Sequence, residues 1–440
     1  MVKNVEQQIV HKAALGILPL LICLYIVSYL DRVNIGFAAL SMNADIGLSA
    51  SVYGWGAGLF FVGYCLFEVP SNLLMVKFGA RRWIARILFT WGAISMCMAF
   101  VQGTGSFLLL RFLLGVAEAG FFPAVILYLT LWFPSRYRAR IISLFMLSIP
   151  VALALGAPLS TLLLELDGLL GLQGWQWLFI IEGLPGVLLV PVVLRYLPDS
   201  PGSAKWLTAS EKAWIKRELA LDEVVQSRQS TCKASVWQVF CDPRVLILCL
   251  VYFCATASNL GLSMFLPQII KQHGFEGMAV GYISAIPYLA GCAGMIVMGV
   301  VSDKALKRKV FLSTAFLMIA GGLSGAALFE NISLSVLAMS IGTIGIMGCK
   351  GPFWALSGST VSGVGAAASI ALINSVGNLG GFLGPGMVGM AKDWSGSFDS
   401  GLYLLSGFAL FGLVLVAVFV SEGNSAHTEL TGQEEREELA

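Results

Sequence analysis

Residues 25–38 read YIVSYLDRVNIGFA, an apolar run with an aspartate and an arginine, Asp31 and Arg32, side by side in it. Followed outward over about residues 14–39, the run is long enough to cross a membrane, since a helix spans roughly 30 Å of hydrocarbon with about 20 mainly apolar residues. The chain as a whole agrees: 57% of its residues are hydrophobic and only 12% are charged, with a mean hydropathy of +0.83. A soluble domain is nearer a quarter charged. The chain therefore reads as an all-α polytopic membrane protein. A basic stretch precedes the first run, but no small-residue cleavage site follows. It is read as a first membrane helix, not a removed signal.

Twelve such runs occur, at about 14–39, 52–76, 83–101, 105–131, 139–164, 175–197, 243–270, 280–301, 310–329, 332–355, 366–391 and 399–421. The division is six spans (1–197), a polar linker (198–242), six more spans (243–421) and an acidic tail (422–440). In the linker, TASEKAWIKREL sets Thr208 and Glu211 at capping-box spacing, which predicts a short surface helix. Lys and Arg test the topology. With both termini on the cytoplasmic side, 22 of the 27 fall in cytoplasmic segments or at the cytoplasmic ends of spans, two (Lys271 and Lys392) in outer loops and three deeper in spans. The positive-inside rule expects such a split of a bacterial inner-membrane protein with cytoplasmic termini. The halves also echo each other. LSIPVALALGAP and NSVGNLGGFLGP each place a proline ten residues after a serine, Ser148 to Pro158 and Ser375 to Pro385. Two pseudo-symmetric six-helix bundles are the plan of secondary transporters, with the substrate site between the repeats near the midplane.

Other chemistries find no footing. The nine cysteines are scattered without a CxxC pair, the three histidines lie apart, and no GxxxxGK[ST] is present. No metal, organic cofactor or nucleic-acid partner is expected, no enzymatic activity, and the chain is expected to be a monomer in the bilayer. A receptor would need a signalling appendage, for which the tail is too short.

Clear of the span ends, seven charged side chains fall inside the spans: Asp31, Arg32, Glu68, Arg111, Glu118, Glu182 and Lys350. Each costs about 2.5–3.5 kcal/mol at a helix centre on insertion scales, so each calls for a partner, a wet cavity or a function. Adjacent helical residues point about 100° apart, so Asp31 and Arg32 do not face each other. Tyr25, Tyr29 and Arg32 form one stripe at i, i+4 and i+7, with Ser28 and Asp31 on the neighbouring one. The planar fork of Arg32 suits a carboxylate ligand. Arg111 and Glu118, seven apart, share a face of span four about 10 Å apart along the axis. Glu118 sits among small residues that permit close helix approach, and an ionisable group in such a site is suited to proton exchange. The same quartet also fits a buried salt-bridge network, for instance Asp31 with Arg111 and Arg32 with Glu118. Glu68 is placed to pair with Arg81 or a helix terminus. Lys350 either anchors a substrate carboxylate or snorkels to the inner surface, with Trp354 one turn on. Asn374 and Asn378 suit either substrate hydroxyls or interhelical hydrogen bonds. Phe60, Phe61, Phe121 and Phe122 read as packing or lipid-facing residues.

YLDRVNIGFA, RFLLGVAEAGFFPAVILYLTLWFP, GWQWLFIIEGLP, GPFWALSGSTVSG and ALINSVGNLGGFLGP together resemble the major facilitator superfamily, and within it the anion:cation symporter branch. That branch includes bacterial carriers for tartrate, phthalate, hydroxyphenylacetate and nicotinate. The resemblance implies the major facilitator fold and a proton as the coupling ion. It matches Asp31 and Glu118 to proton coupling, Arg32 and Arg111 to substrate binding and gating, and Tyr64 to an aromatic substrate position. The superfamily's loop after span two usually reads Gly-x-x-x-Asp-Arg-x-Gly-Arg-Arg. Here Asn72 and Val76 stand at the Gly and Asp positions, while Lys77, Gly79, Arg81 and Arg82 remain. Gating roles for Arg81 and Arg82, and for Asp303 in the second-half copy, follow from the resemblance alone. Span five lacks the fuller glycine pattern of drug:proton antiporters, so symport is favoured.

The function expected is import of a small organic anion by proton symport through alternating access. An exchanger or facilitator of the same fold, without proton coupling, is the alternative. Hydroxylated dicarboxylates and aromatic monocarboxylates both remain open as substrates.

Overall fold

A computed structural model of the chain describes residues 2–229, 242–305, 307–360 and 365–420. Among the described residues no strand occurs, and eleven helices are long and apolar enough to cross a membrane. The first six are Glu6–Asp45, Ala50–Phe78, Ala80–Phe100, Thr104–Thr130, Ser135–Leu164 and Gly174–Tyr196. Pro243–Gln272, Met278–Ser302, Arg308–Leu328 and Ile332–Ser357 are spans seven to ten, and Asp399–Phe419 is the twelfth. Where the eleventh was expected, two helices run end to end, Gly365–Asn378 and Gly380–Ser395, meeting at Leu379, whose backbone is itself helical.

The packing repeats. Span one packs on five and six, two on four, and three on four and six; span seven packs on eleven and twelve, eight on ten, and nine on ten and twelve. Adding six to each number in the first set gives the second, which is the internal pseudo-symmetry expected of a duplicated bundle. The halves meet through spans two and eleven, five and eight, and one and seven. On the side opposite the termini this seam is tied by backbone approach and polar contacts. Tyr53 Oη donates to the Met264 carbonyl at 2.9 Å, Lys271 Nζ to the Leu40 carbonyl at 2.9 Å, and the Ser51 amide to Asp393 Oδ2 at 2.8 Å.

The described part of the polar linker packs on the first half. Its helix, Ala209–Gln229, starts with the expected capping box: the Thr208 amide donates to Glu211 Oε2 at 2.7 Å and the Glu211 amide to Thr208 Oγ1 at 3.3 Å. Glu211 also pairs with Lys12 at 2.8 Å, and Arg136 with Glu218 at 3.1 Å. The hydrogen bond from Lys12, aided by the Thr208 amide, holds the Glu211 carboxyl below its usual range. Trp206 stacks on Trp132 at 5.7 Å between ring centres. The acidic tail, 422–440, and the end of the linker, 230–241, lie outside the described residues.

Two glycines set the geometry of the site. Span four is broken at Ala119–Gly120, and Gly120 has φ +84°, a left-handed conformation that favours glycine. A Cβ there would lie 2.4 Å from Ser71 Oγ. The break leaves Glu118 as the last residue of its helix segment, facing span one. At the seam, a Cβ on Gly54 would lie 2.3 Å from the Pro385 carbonyl oxygen. Gly54 meets span eleven only while the seam is closed, so Gly54→Val should leave each half folded. Overpacking of this kind costs about 1–3 kcal/mol, and we expect turnover in proteoliposomes to fall by about 5- to 160-fold. The purified variant should stay monodisperse; normal turnover would show that this closed seam is not part of the transport cycle.

Candidate functional site

The two stripes of span one part company in the bundle. Tyr25, Tyr29 and Arg32 face a central cavity between the halves. Tyr25 and Tyr29 meet edge to face at 5.9 Å. The Arg32 guanidinium lies 5.3 Å from the Tyr29 ring centre, 5.2 Å from Phe60 and 5.4 Å from Tyr64, an aromatic collar that stabilises a desolvated cation. Behind it, Arg32 forms an ion pair with Glu118 of span four, and Ser28 donates to the same carboxylate oxygen at 2.7 Å. Glu118 is fully buried, and its second oxygen, Oε2, has no hydrogen-bond partner among the described residues. Of the two suggested pairings, Arg32 with Glu118 is present.

Asp31 and Arg111 do not pair. Asp31 turns away from the cavity into its own half, where its carboxylate accepts from Trp91 Nε1, from Ser95 Oγ and, at 3.0 Å, from Asn34 Nδ2. Spans one and three thus supply three neutral donors, and the carboxylate has no need of a guanidinium. Arg111 instead donates through Nη2 to the Ala57 carbonyl of span two at 3.0 Å and lies over the Phe60 ring at 5.3 Å. Glu182 accepts from Ser160 at 2.8 Å. Glu68 reaches neither Arg81 nor a helix terminus. It accepts from Asn374 Nδ2 of span eleven at 2.7 Å, across the seam.

All seven candidate substrate residues line the cavity: Tyr29, Arg32 and Tyr64 from the first half, Lys350, Trp354, Asn374 and Asn378 from the second. Lys350 lines the cavity from the second half. Asn374 serves both readings, since it lines the cavity and also binds Glu68. Phe61 and Phe122, expected to be packing residues, are cavity walls as well. The gating candidates do not join this group. Arg81 is bound to Asp199, just after span six, through its amide at 3.0 Å and its side chain at 3.5 Å. Arg82 is exposed beside it. The side chain of Asp303 lies outside the described residues.

The sequence reading missed Tyr252, Thr256 and Asn259 of span seven, which also line the cavity. A signal existed. Their spacing of i, i+4 and i+7 copies Tyr25, Tyr29 and Arg32 of span one, the equivalent helix of the other half. Tyr252 stacks on Phe353 at 5.1 Å and meets Trp354 edge to face at 5.2 Å.

The two buried acids should respond differently to amidation. In Asp31→Asn the new NH₂ must face either the Trp91 or the Asn34 donor, whereas in Glu118→Gln it can occupy the unpartnered Oε2 position. Leaving a buried donor unmatched costs about 1–3 kcal/mol. Thermal unfolding in detergent should therefore show a loss for Asp31→Asn from the unmatched donor. Glu118→Gln keeps its hydrogen bonds but strips Arg32 of its counter-charge, a loss of about 3–5 kcal/mol that adding Arg32→Gln should largely relieve; a Glu118→Gln variant as stable as wild type would contradict the ion pair.

Residues 21–385 match the family model of the Major Facilitator Superfamily. The chain is 47% identical to a protein of Agrobacterium vitis named "Putative tartrate transporter", over 96% of this chain and 94% of the relative. It is 44% identical to a protein of Acinetobacter baumannii named "Quinolone resistance transporter", over 94% of this chain and 95% of the relative. In three dimensions it resembles the partially occluded inward-open form of the xylose transporter of E. coli. That match has a TM-score of 0.72, at 14% identity, over 93% of this chain and 99% of the other. A duplicated twelve-span bundle around a charged central cavity, with these relatives, makes the chain a membrane transporter, not an enzyme, and a member of the Major Facilitator Superfamily.

Proposed function

We propose that the protein is a proton-coupled importer of a small organic anion, working by alternating access as a monomer in the bacterial inner membrane with both termini in the cytoplasm. The observation that carries this reading is that one guanidinium has two claims on it: Arg32 faces the cavity and is ion-paired from behind by the buried Glu118. A charged Glu118 occupies Arg32. A neutral Glu118 releases the guanidinium fork for a substrate carboxylate, which it can bind through both oxygens. Proton and substrate therefore enter together while the cavity faces out. When it faces in, proton loss restores the ion pair and displaces the anion. Asp31, held by three neutral donors, acts inside its own half: protonation there loosens spans one and three and frees no arginine. The proton is the coupling ion, and no other cofactor takes part. Arg111, Arg81, Arg82 and Asp303 belong to gating by resemblance, with Arg81 working through Asp199.

The relative named for tartrate supports a carboxylate substrate. A second reading, an aromatic monocarboxylate, draws support from the aromatic walls of Tyr29, Tyr64, Phe61, Tyr252 and Trp354, and from the relative named for quinolone resistance.

The test separates accumulation from exchange in proteoliposomes. Wild-type protein should accumulate labelled tartrate when the outside is acid and lose that accumulation when a protonophore collapses the gradient. Glu118→Gln should keep tartrate–tartrate exchange and lose gradient-driven accumulation by at least about tenfold, the rate equivalent of about 1.4 kcal/mol. Undiminished accumulation by Glu118→Gln would falsify the coupling role. Wild-type uptake that ignores the pH gradient would make the protein an exchanger or facilitator.

A further inference from the structure

The acids buried within the spans receive uneven support. Glu118 has the Arg32 guanidinium, Asp31 has the Trp91, Ser95 and Asn34 donors, and Glu68 has the Asn374 amide from across the seam. Glu182 of span six has least. It is 4% exposed, and among the described residues it forms no ion pair. One carboxyl oxygen, Oε1, accepts from the Ser160 hydroxyl of span five at 2.8 Å, and Oε2 has no hydrogen-bond partner among the described residues. Span six packs on spans one, three and five, and of the titratable groups facing it from these spans, Asp31 is the one that acts on Glu182. Arg111 and Glu118 of span four act on Asp31, with opposite signs. Asn34 lies between the two acids. It donates to Asp31 at 3.0 Å, its side chain also meets the Glu182 carboxyl, and its own Oδ1 is an unused acceptor.

An ionised carboxylate held away from water needs a cation or several donors, and a group that lacks both takes up a proton instead. Asp31 meets that requirement and Glu182 does not. Two carboxylates that meet over one amide also repel each other when both are ionised, so such a pair retains a proton. We infer that Glu182 is a second proton-binding site, apart from the cavity, and that it holds the single proton that it and Asp31 share. Donor supply places the proton: Asp31, with three donors, is the ion, and Glu182, with one hydroxyl, is the acid. As a neutral acid, Glu182 has an O–H to donate, and it no longer opposes the Asp31 charge. When Asp31 takes up a proton, its charge is withdrawn from Glu182, and Glu182 is free to ionise. The two acids thus exchange protonation states and do not accumulate two protons. Ser160 ties Glu182 to span five, which packs on span eight at the seam, so this proton acts on the packing of spans one, five and six and not on Arg32. The inference goes beyond the proposed function and holds whether or not Glu118 couples a proton to an anion.

Infrared spectroscopy of the purified full-length protein tests this, because a neutral carboxyl shows a C=O stretch that a carboxylate lacks. At neutral pH the difference between wild type and Glu182→Gln should contain a carboxylic acid band; Glu68 and the other acids cancel in it. Glutamine is close in size to the neutral acid, so the variant should unfold at nearly the wild-type temperature. Removing the charge at position 31 should then shift the pH at which the Glu182 band is lost downward by about one unit or more, about a tenfold loss of proton affinity. Asp31→Asn and Asp31→Ser are both titrated, each against its Glu182→Gln double variant. The serine variant sets no amide against the Trp91 donor and so guards against misfolding of the first. A difference spectrum without the band would mean that Glu182 is ionised and would overturn the inference. A band whose titration is unmoved in both Asp31 variants would overturn the shared proton. A purely structural role for Glu182 moves neither readout.

Discussion

The Arg32–Glu118 ion pair is the interaction around which the rest of this bundle is arranged. Two opposite charges near the middle of a membrane protein are tolerable only as a matched pair, because removing one partner from a buried pair costs about 3–5 kcal/mol. The surrounding structure supplies the match. The break at Gly120 ends a helix at Glu118, Ser28 adds a hydrogen bond to the carboxylate, and the rings of Tyr29, Phe60 and Tyr64 surround the guanidinium. The acid lies behind and the arginine in front, at the cavity wall. A pair so placed can be opened without exposing a bare charge, provided that a proton replaces the arginine and another anion replaces the acid.

The two halves share a plan but divide the chemistry. Among the described residues, the acids buried within the spans, Asp31, Glu68, Glu118 and Glu182, all belong to the first half. The second half faces the cavity with a lysine, asparagines, a threonine and aromatic rings. Span seven repeats the spacing of span one with Asn259 where span one has Arg32, so the equivalent helix offers the same stripe without the charge. In the proposed cycle the first half handles the proton and holds the substrate carboxylate through Arg32, the second half completes the binding wall, and the substrate joins them during alternating access.

Much of this was legible in the sequence. Apolar run length and the uneven placement of Lys and Arg were enough for the spans and the pseudo-symmetric halves. Much of the cavity-lining set was also readable, because polar residues inside spans rarely face lipid; Tyr64 came from the resemblance, and Tyr252, Thr256 and Asn259 were missed. Partnerships were less so. Asp31 was matched with Arg111 on charge alone, yet neutral donors two helices away in sequence, Trp91 and Ser95, reach it first, and neither stands out in an apolar span. Glu68 met Asn374 because the seam between spans two and eleven brings together residues about 300 positions apart. Helical spacing describes one helix at a time and is silent on such contacts. The linker helix and its capping box were readable, but its docking on the first half depends on Lys12, Trp132 and Arg136, which only the fold brings to it.

The central claim is that a substrate carboxylate and the Glu118 carboxylate compete for Arg32, with a proton settling the competition. The most direct measurement is proton uptake itself. Tartrate is added to purified protein in detergent at very low buffer concentration near neutral pH, with an indicator dye following free protons. The account predicts net proton uptake by wild type on binding, and none by Glu118→Gln despite retained binding. Binding without proton uptake in wild type, or equal uptake in the variant, would contradict it.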